Sequence, residues 1–85
     1  MDTIYRIYTE DADRHAVVEA VAEKFESFTL QPTTGHYKGE EERSIVIEIV
    51  DAKEEDVESV AQSIRAINGQ KSVLVMSLSG RAKRL

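Results

Sequence analysis

The sequence contains no cysteine and no tryptophan, and it has one proline and few aromatic residues. Without cysteine the chain forms no disulfide, no thiolate metal site and no thiol nucleophile, so we expect packing alone to hold the fold. No apolar run approaches the roughly 20 residues of a membrane span, and the first residues lack the basic segment and apolar core of a signal peptide. These absences predict a cytoplasmic protein without a membrane partner.

The composition is that of a globular protein. Of its 85 residues, 32% are charged and 41% are hydrophobic, which predicts one folded domain over residues 1–85. The net charge of −5 argues against nucleic-acid binding, which requires clustered lysine and arginine. Nine acidic residues fall within 40–58, whereas residues 71–85 hold four bases and no acid. The acidic middle and the basic tail could pair within or between chains, or the tail could bind an anion or remain solvated.

Periodic apolar residues predict the first three elements. A segment rich in β-branched and aromatic residues at 3–10 is typical of a strand. Apolar residues at helical spacing predict a helix over about residues 12–26, with Asp11 as its N-cap. Residues 27–35 favour a second strand, which we expect Pro32 to cut short.

The second half of the chain repeats this order. Residues 43–51 alternate as a third strand, and Asp51 with Glu54 fits the capping box of a second helix. Asn68 and Gly69 provide a left-handed stop for that helix, and residues 71–79 form a fourth strand. The stripe of the second helix consists of Val57, Val60, Ala61, Ile64 and Ile67.

The order strand, helix, strand, strand, helix, strand predicts an α+β, ferredoxin-like βαββαβ sandwich with both helices on one face of an antiparallel four-stranded sheet. The other face of such a sheet is bare, so a monomer should alternate apolar and polar residues there. Strands three and four instead carry apolar residues on both sides, for example Val46 and Met76. We therefore predict a homo-oligomer; the alternative is that valine is present because it suits strands.

The segment from Pro32 to Glu42 predicts a wide hairpin in which Gly35 and Gly39 take positive φ angles. His36 near the acidic triplet 40–42 raises the possibility of a metal clamp. Because alternation points neighbouring side chains in opposite directions, we predict that the chain binds no metal.

Catalytic patterns are absent from the sequence. His15 and His36 are the only histidines, and neither belongs to a recognisable nucleophile motif. The sequence also contains no phosphate-binding loop motif. We predict that the protein is not an enzyme. The strand order also serves RNA-recognition modules, but Tyr5 and Tyr8 fall on opposite faces of strand one and strand three has no aromatic residue, which again argues against nucleic acid.

Three passages resemble the PII-like group of small trimeric proteins, which includes PII signal proteins and CutA-type proteins. GHYKGEEERSIVIEIV (35–50) resembles a CutA-type passage, NGQKSVLV (68–75) is similar to the turn before the last PII strand, and GRAKRL (80–85) lies where PII proteins place arginines. The resemblance implies a homotrimer with nucleotides bound in clefts between subunits.

Carried over to this sequence, the resemblance implies that Lys71, Arg81 and Lys83 contact a phosphate. The 32–42 segment would fold over the ligand, which makes a further set of ligand-binding candidates: Gly35, His36, Tyr37 and Lys38. This segment is much shorter than the signalling loop of PII proteins. The sequence also lacks the cysteines that some CutA-type proteins use to bind copper. We predict that the protein has no cofactor.

A second resemblance leads to an alternative. The passage FTLQPTTGHYKGEEERSIVIEI (28–49) is also similar to short proteins of unknown function from phage and bacterial genomes. That likeness implies a structural or protein-interaction module without a small ligand.

Overall fold

A computed structural model describes residues 2–85 and contains one four-stranded sheet and two helices. The elements are β1 (Asp2–Glu10), α1 (Arg14–Lys24), β2 (Thr29–Tyr37), β3 (Glu40–Val50), α2 (Glu54–Asn68) and β4 (Leu74–Gly80). The strands lie in the order β2-β3-β1-β4, and every neighbouring pair is antiparallel. The predicted ferredoxin-like βαββαβ sandwich is therefore confirmed. Neither helix of the described chain is long and apolar enough to cross a membrane.

The core lies between the helices and one face of the sheet. Ile7 on β1 is opposite Ile47 on β3 and Val75 on β4, and alternate residues along β3 are buried. Burying apolar side chains is the main favourable term in folding. The core cluster consists of Tyr5, Ile7, Val17, Val21, Ile45, Ile47, Ile49, Val57, Val60, Ala61 and Ile64.

The start of α1 differs from the prediction. Asp13, and not Asp11, is the N-cap, and its carboxylate accepts a hydrogen bond from the backbone nitrogen of Ala16 at 3.3 Å. Asp11 instead pairs with Arg14, whose hydrogen bond holds the pKa of the Asp11 carboxyl below its usual value. The helix ends at Lys24, so the aromatic side chain of Phe28 reaches the core from the following segment.

The predicted capping box at α2 is wrong. Lys53 is the N-cap and makes no side-chain capping bond, while Asp51 takes a left-handed φ of 58° at the end of β3. The acidic residues of the first turn still interact favourably with the helix dipole. The predicted stop is confirmed, because Gly69 is left-handed with a φ of 63°.

Pro32 does not end the second strand. β2 is an edge strand, where a residue without an N–H group is tolerated, and it continues to Tyr37. The turn has only two central residues, Lys38 and Gly39, with φ angles of 51° and 81°, as in a type I′ hairpin. Gly35 lies within the strand and has no positive φ, so that part of the prediction is wrong.

The β2–β3 hairpin extends beyond the rest of the sheet. The last β1 residue, Glu10, is opposite Ser44, so the preceding residues of β3 have no partner on β1. The nitrogen of Asp11 donates to the Arg43 carbonyl at 3.0 Å, next to this point. We call residues 34–43 the hairpin arm.

The fourth strand also begins later than predicted, at Leu74, which leaves residues 71–73 in the preceding turn.

The role of the core can be tested on one helix. Ile64→Ala removes a fully buried side chain and should lower the free energy of unfolding by about 2–5 kcal/mol, because it leaves a cavity. Ile67→Ala on the same helix removes a side chain that is 38% exposed and should cost about 1 kcal/mol or less. Urea unfolding of both variants measures the difference, and equal losses would contradict the placement of the core.

The two hairpin glycines should differ in their tolerance of a side chain. Gly39→Ala forces alanine into a left-handed conformation and should lower the free energy of unfolding by about 1–2 kcal/mol. A Cβ at Gly35 would lie 3.6 Å from Ser44 Oγ, an ordinary contact, so Gly35→Ala should change stability by about 0.5 kcal/mol or less. The reverse order in denaturant unfolding would contradict the two-residue turn.

Candidate functional site

The sheet face away from the helices is largely apolar. We call it the open sheet face and define it by nine residues of the three strands β1, β3 and β4: Ile4, Arg6, Tyr8, Val46, Glu48, Val50, Leu74, Met76 and Leu78. Leu74 is 58% exposed and Val50 is 41% exposed. β3 carries apolar residues on both sides, as predicted, because Ile45, Ile47 and Ile49 are buried in the core while Val46 and Val50 lie on the open sheet face. Tyr5 lies on the opposite, buried face from Tyr8, also as predicted.

An ion pair lies at the centre of the open sheet face. Arg6 and Glu48 are directly opposite each other on β1 and β3, and Arg6 Nε donates to Glu48 Oε2 at 2.8 Å. This hydrogen bond with Glu48 raises the pKa of Arg6. A depression of about 240 Å³ beside the pair reaches Gln31 on β2. The sequence pattern revealed the apolar strands but not this pairing, which depends on strand register.

The three predicted phosphate contacts do not meet within one chain. Lys71 precedes β4, whereas Arg81 and Lys83 follow it. A strand of seven residues is about 23 Å long at about 3.3 Å per residue. One phosphate group therefore cannot contact Lys71 and Arg81 of the same chain.

Lys71 lies beside the hairpin arm. A cleft of about 520 Å³ separates the arm from the turn after α2, and it is lined by Glu10, Tyr37, Glu42, Gly69, Gln70, Lys71 and Ser72. Of the four candidates in the arm, only Tyr37 lines this cleft. Lys38 Nζ lies 5.3 Å from the centre of the Tyr37 ring, and His36 is opposite Glu41. Within residues 2–85 no group of three or more His, Cys, Asp or Glu side chains could hold a metal.

A hydrogen-bond network fixes the turn that carries Lys71. Thr9 is buried and donates through Oγ1 to Gln70 Oε1. Asn68 Nδ2 donates to Thr9 Oγ1 and to the Glu10 carbonyl, both at 3.1 Å, and to Gln70 Oε1 at 3.0 Å. The sequence predicted a role for Asn68 only in the stop of α2. The available signal for a polar network was a threonine, Thr9, in line with the apolar residues Tyr5 and Ile7 on the buried side of β1.

The basic segment after β4 lies beside acidic residues of its own chain. The backbone nitrogen of Ala82 donates to Asp2 Oδ2 at 2.9 Å. A depression of about 630 Å³ is lined there by Asp2, Val50, Asp51, Ala82, Lys83 and Arg84. Of the acidic stretch 40–58, Val50 and Asp51 line this depression with Lys83 and Arg84.

No family model matches the sequence, and no curated protein matches it either. Solved structures do match. A DUF3240 family protein from Shewanella baltica has a TM-score of 0.71 and 8% identity, covering 99% of this chain and 94% of that one. The CutA1 divalent cation tolerance protein from Thermus thermophilus has a TM-score of 0.65 and 10% identity, covering 99% and 88%. The GlnK–ATP complex of B. subtilis has a TM-score of 0.64 and 17% identity, covering 91% and 81%.

These likenesses establish the fold. The chain has a PII/CutA-like fold, as the resemblance in the sequence implied. An enzyme has the same fold, because a phage SAM lyase in complex with S-methyl-5′-thioadenosine matches with a TM-score of 0.59 and 19% identity, covering 91% of this chain and 80% of that one. The fold alone therefore does not separate a binding protein from an enzyme.

The network around Asn68 should contribute to stability. Asn68→Ala removes the donor that joins Thr9 to the Glu10 carbonyl, so it should lower the free energy of unfolding by about 1–3 kcal/mol. Gln62→Ala removes a hydrogen bond to Arg65 on the exposed side of the same helix and should have an effect of about 0.5 kcal/mol or less. Chemical denaturation measures both, and a neutral Asn68→Ala would show that the network does not hold the turn.

Proposed function

We propose that the protein is a non-enzymatic regulatory or small-ligand-binding protein that acts as a homo-oligomer, with a trimer as the favoured assembly. The observation that carries the proposal is the open sheet face. Leu74, Met76 and Val50 are all more than a third exposed there, and monomers rarely leave such a contiguous apolar surface uncovered. A second copy of the chain is the occupant we favour, since the centre of the face carries one cation and one anion and is therefore self-complementary in charge.

Oligomerisation would also complete a ligand site. Lys71 and the pair Arg81 and Lys83 lie at opposite ends of β4, so two copies are needed to bring them to one ligand. The cleft between the hairpin arm and the turn after α2 supplies Lys71 and the aromatic ring of Tyr37. Lysine and arginine side chains together favour an anionic ligand such as a phosphate group. Gly35, His36 and Lys38 would then shape the arm beside the ligand without lining the cleft themselves.

Adenosine-containing compounds are the ligands to test first. Two solved structures with this fold contain such compounds: GlnK with ATP, and the phage lyase with S-methyl-5′-thioadenosine. The identities of 17% and 19% extend only to the fold, so these two complexes serve as a guide to the choice of compounds. A compound with phosphates would use Lys71, whereas one without phosphates would not.

Nucleotide binding should raise the thermal stability of the protein. With ATP, ADP or AMP at millimolar concentration we expect an increase of several degrees in the melting temperature, because a ligand that binds only the folded state stabilises it. Lys71→Ala should abolish the increase, while Lys24→Ala at the end of α1 should retain it. Absence of a shift with every nucleotide would contradict the proposed ligand class.

A mixing experiment tests whether the site is shared between copies. Neither Lys71→Ala nor the double variant Arg81→Ala/Lys83→Ala should respond to nucleotide alone. When the two variants are unfolded together and refolded as a mixture, some clefts combine Lys71 from one copy with Arg81 and Lys83 from another. We expect part of the thermal shift to return, and no recovery would contradict a shared site.

The hairpin arm favours the second candidate, a protein-interaction module without a small ligand. It extends beyond β1, and Tyr37 near its end is 63% exposed. Exposed aromatic residues are enriched at interfaces between proteins. Capture of one identified protein that is lost with Tyr37→Ser and kept with His15→Ser, together with no response to nucleotides, would support this candidate.

A further inference from the structure

The ion pair of the open sheet face has unused hydrogen-bonding capacity. Of the nine residues that define this face, only Arg6 and Glu48 are charged. A guanidinium has five N–H donors and a carboxylate has two acceptor oxygens. The hydrogen bond within the chain uses Arg6 Nε and Glu48 Oε2, so the Nη groups of Arg6 and the Oε1 atom of Glu48 remain for other partners.

In a single chain, water can bind these remaining groups, because the side chains of Arg6 and Glu48 are 40% and 37% exposed. Covering the face with another copy would remove that water. A charged pair that is buried without enough hydrogen bonds is strongly unfavourable, so the remaining donors and acceptors need partners on the covering surface. On an identical copy, the charged side chains at the centre of that surface are again Arg6 and Glu48.

We propose that Arg6 of each copy also donates to Glu48 of a neighbouring copy, so that ion pairs within and between copies join into one closed network. This inference rests on the proposed homo-oligomer and adds to it the contact that orients the copies. Apolar side chains such as Leu74 and Met76 favour burial but pack in many orientations, whereas a polar pair at the centre of an interface fixes the orientation and the register. Tyr8 lines the same depression as Arg6 and Glu48.

Charge exchange provides the test. In the double variant Arg6→Glu/Glu48→Arg the pair within each chain is kept with its charges reversed, and so are contacts between two variant copies. A wild-type copy next to a variant copy would bring like charges together at every shared contact. We mix mass-labelled wild type with the variant, unfold and refold the mixture, and count mixed assemblies by native mass spectrometry. We expect mixed assemblies to be at least fivefold rarer than random mixing predicts, and random mixing would overturn the inference.

A matched control uses an ion pair away from the open sheet face. Asp11 and Arg14 pair through a carboxylate and a guanidinium at the start of α1. The exchange Asp11→Arg/Arg14→Asp reverses this pair and leaves the sheet unchanged. Copies of this variant should mix with wild type at random, which shows that charge exchange alone does not separate copies.

Cross-linking gives a second test that does not require the exchanged pair to fold. The native chain has no cysteine, so single thiols can be placed without background. Copies with Arg6→Cys and copies with Glu48→Cys are mixed and treated with a short bismaleimide. We expect cross-links between the two kinds of copy, and none when Glu19→Cys on the exposed side of α1 replaces Glu48→Cys. Equal yields with both partners, or no cross-link in either mixture, would overturn the proposed contact.

The outcome separates this inference from the proposed function. If wild type alone has the mass of one chain, then the homo-oligomer itself is wrong and the network falls with it. If wild type assembles and binds nucleotide but mixes at random with the exchanged variant, only the network is wrong.

Discussion

Two helices cover only one face of the four-stranded sheet, so the apolar residues of the other face are buried only if another molecule covers them. α1 and α2 bury the isoleucines of β1 and β3 on one side. The other side carries Leu74, Met76 and Val50, which water covers at a cost in free energy. A chain of 85 residues buries a modest fraction of its surface, so covering a second face is a substantial gain in stability. The proposed assembly, the proposed shared ligand site and the proposed ion-pair network all depend on this uncovered face.

The order of elements could be predicted from the sequence because it depends on local periodicity. The alternation of Ile45, Ile47 and Ile49 and the stripe of α2 are visible without any tertiary contact. The left-handed end of α2 at Gly69 could also be predicted from the sequence, because glycine is the usual residue in that conformation.

The sequence-based predictions were wrong where the position of a residue in the folded protein overrides its local conformational preference. Proline usually ends a strand, but β2 tolerates Pro32 because this strand lies at the edge of the sheet. The local sequence does not reveal which strand lies at the edge. Asp51 and Glu54 have the spacing of a capping box, but the end of β3 holds Asp51 in a left-handed conformation. Contacts between distant residues were also missed: the register that pairs Arg6 with Glu48, and the network that joins Thr9 to Asn68.

The candidate site shows why a fold alone does not define a function. Lys71, Arg81 and Lys83 were grouped by resemblance, and the length of β4 separates them in one chain. Only an assembly can bring them together, so ligand binding and oligomerisation are predicted to succeed or fail together. The measurement that tests this account most directly is the solution mass of the unliganded protein by light scattering across a range of concentrations. We predict a constant multiple of the 9.6 kDa chain mass, with three copies favoured. The mass of a single chain at tens of micromolar would contradict it.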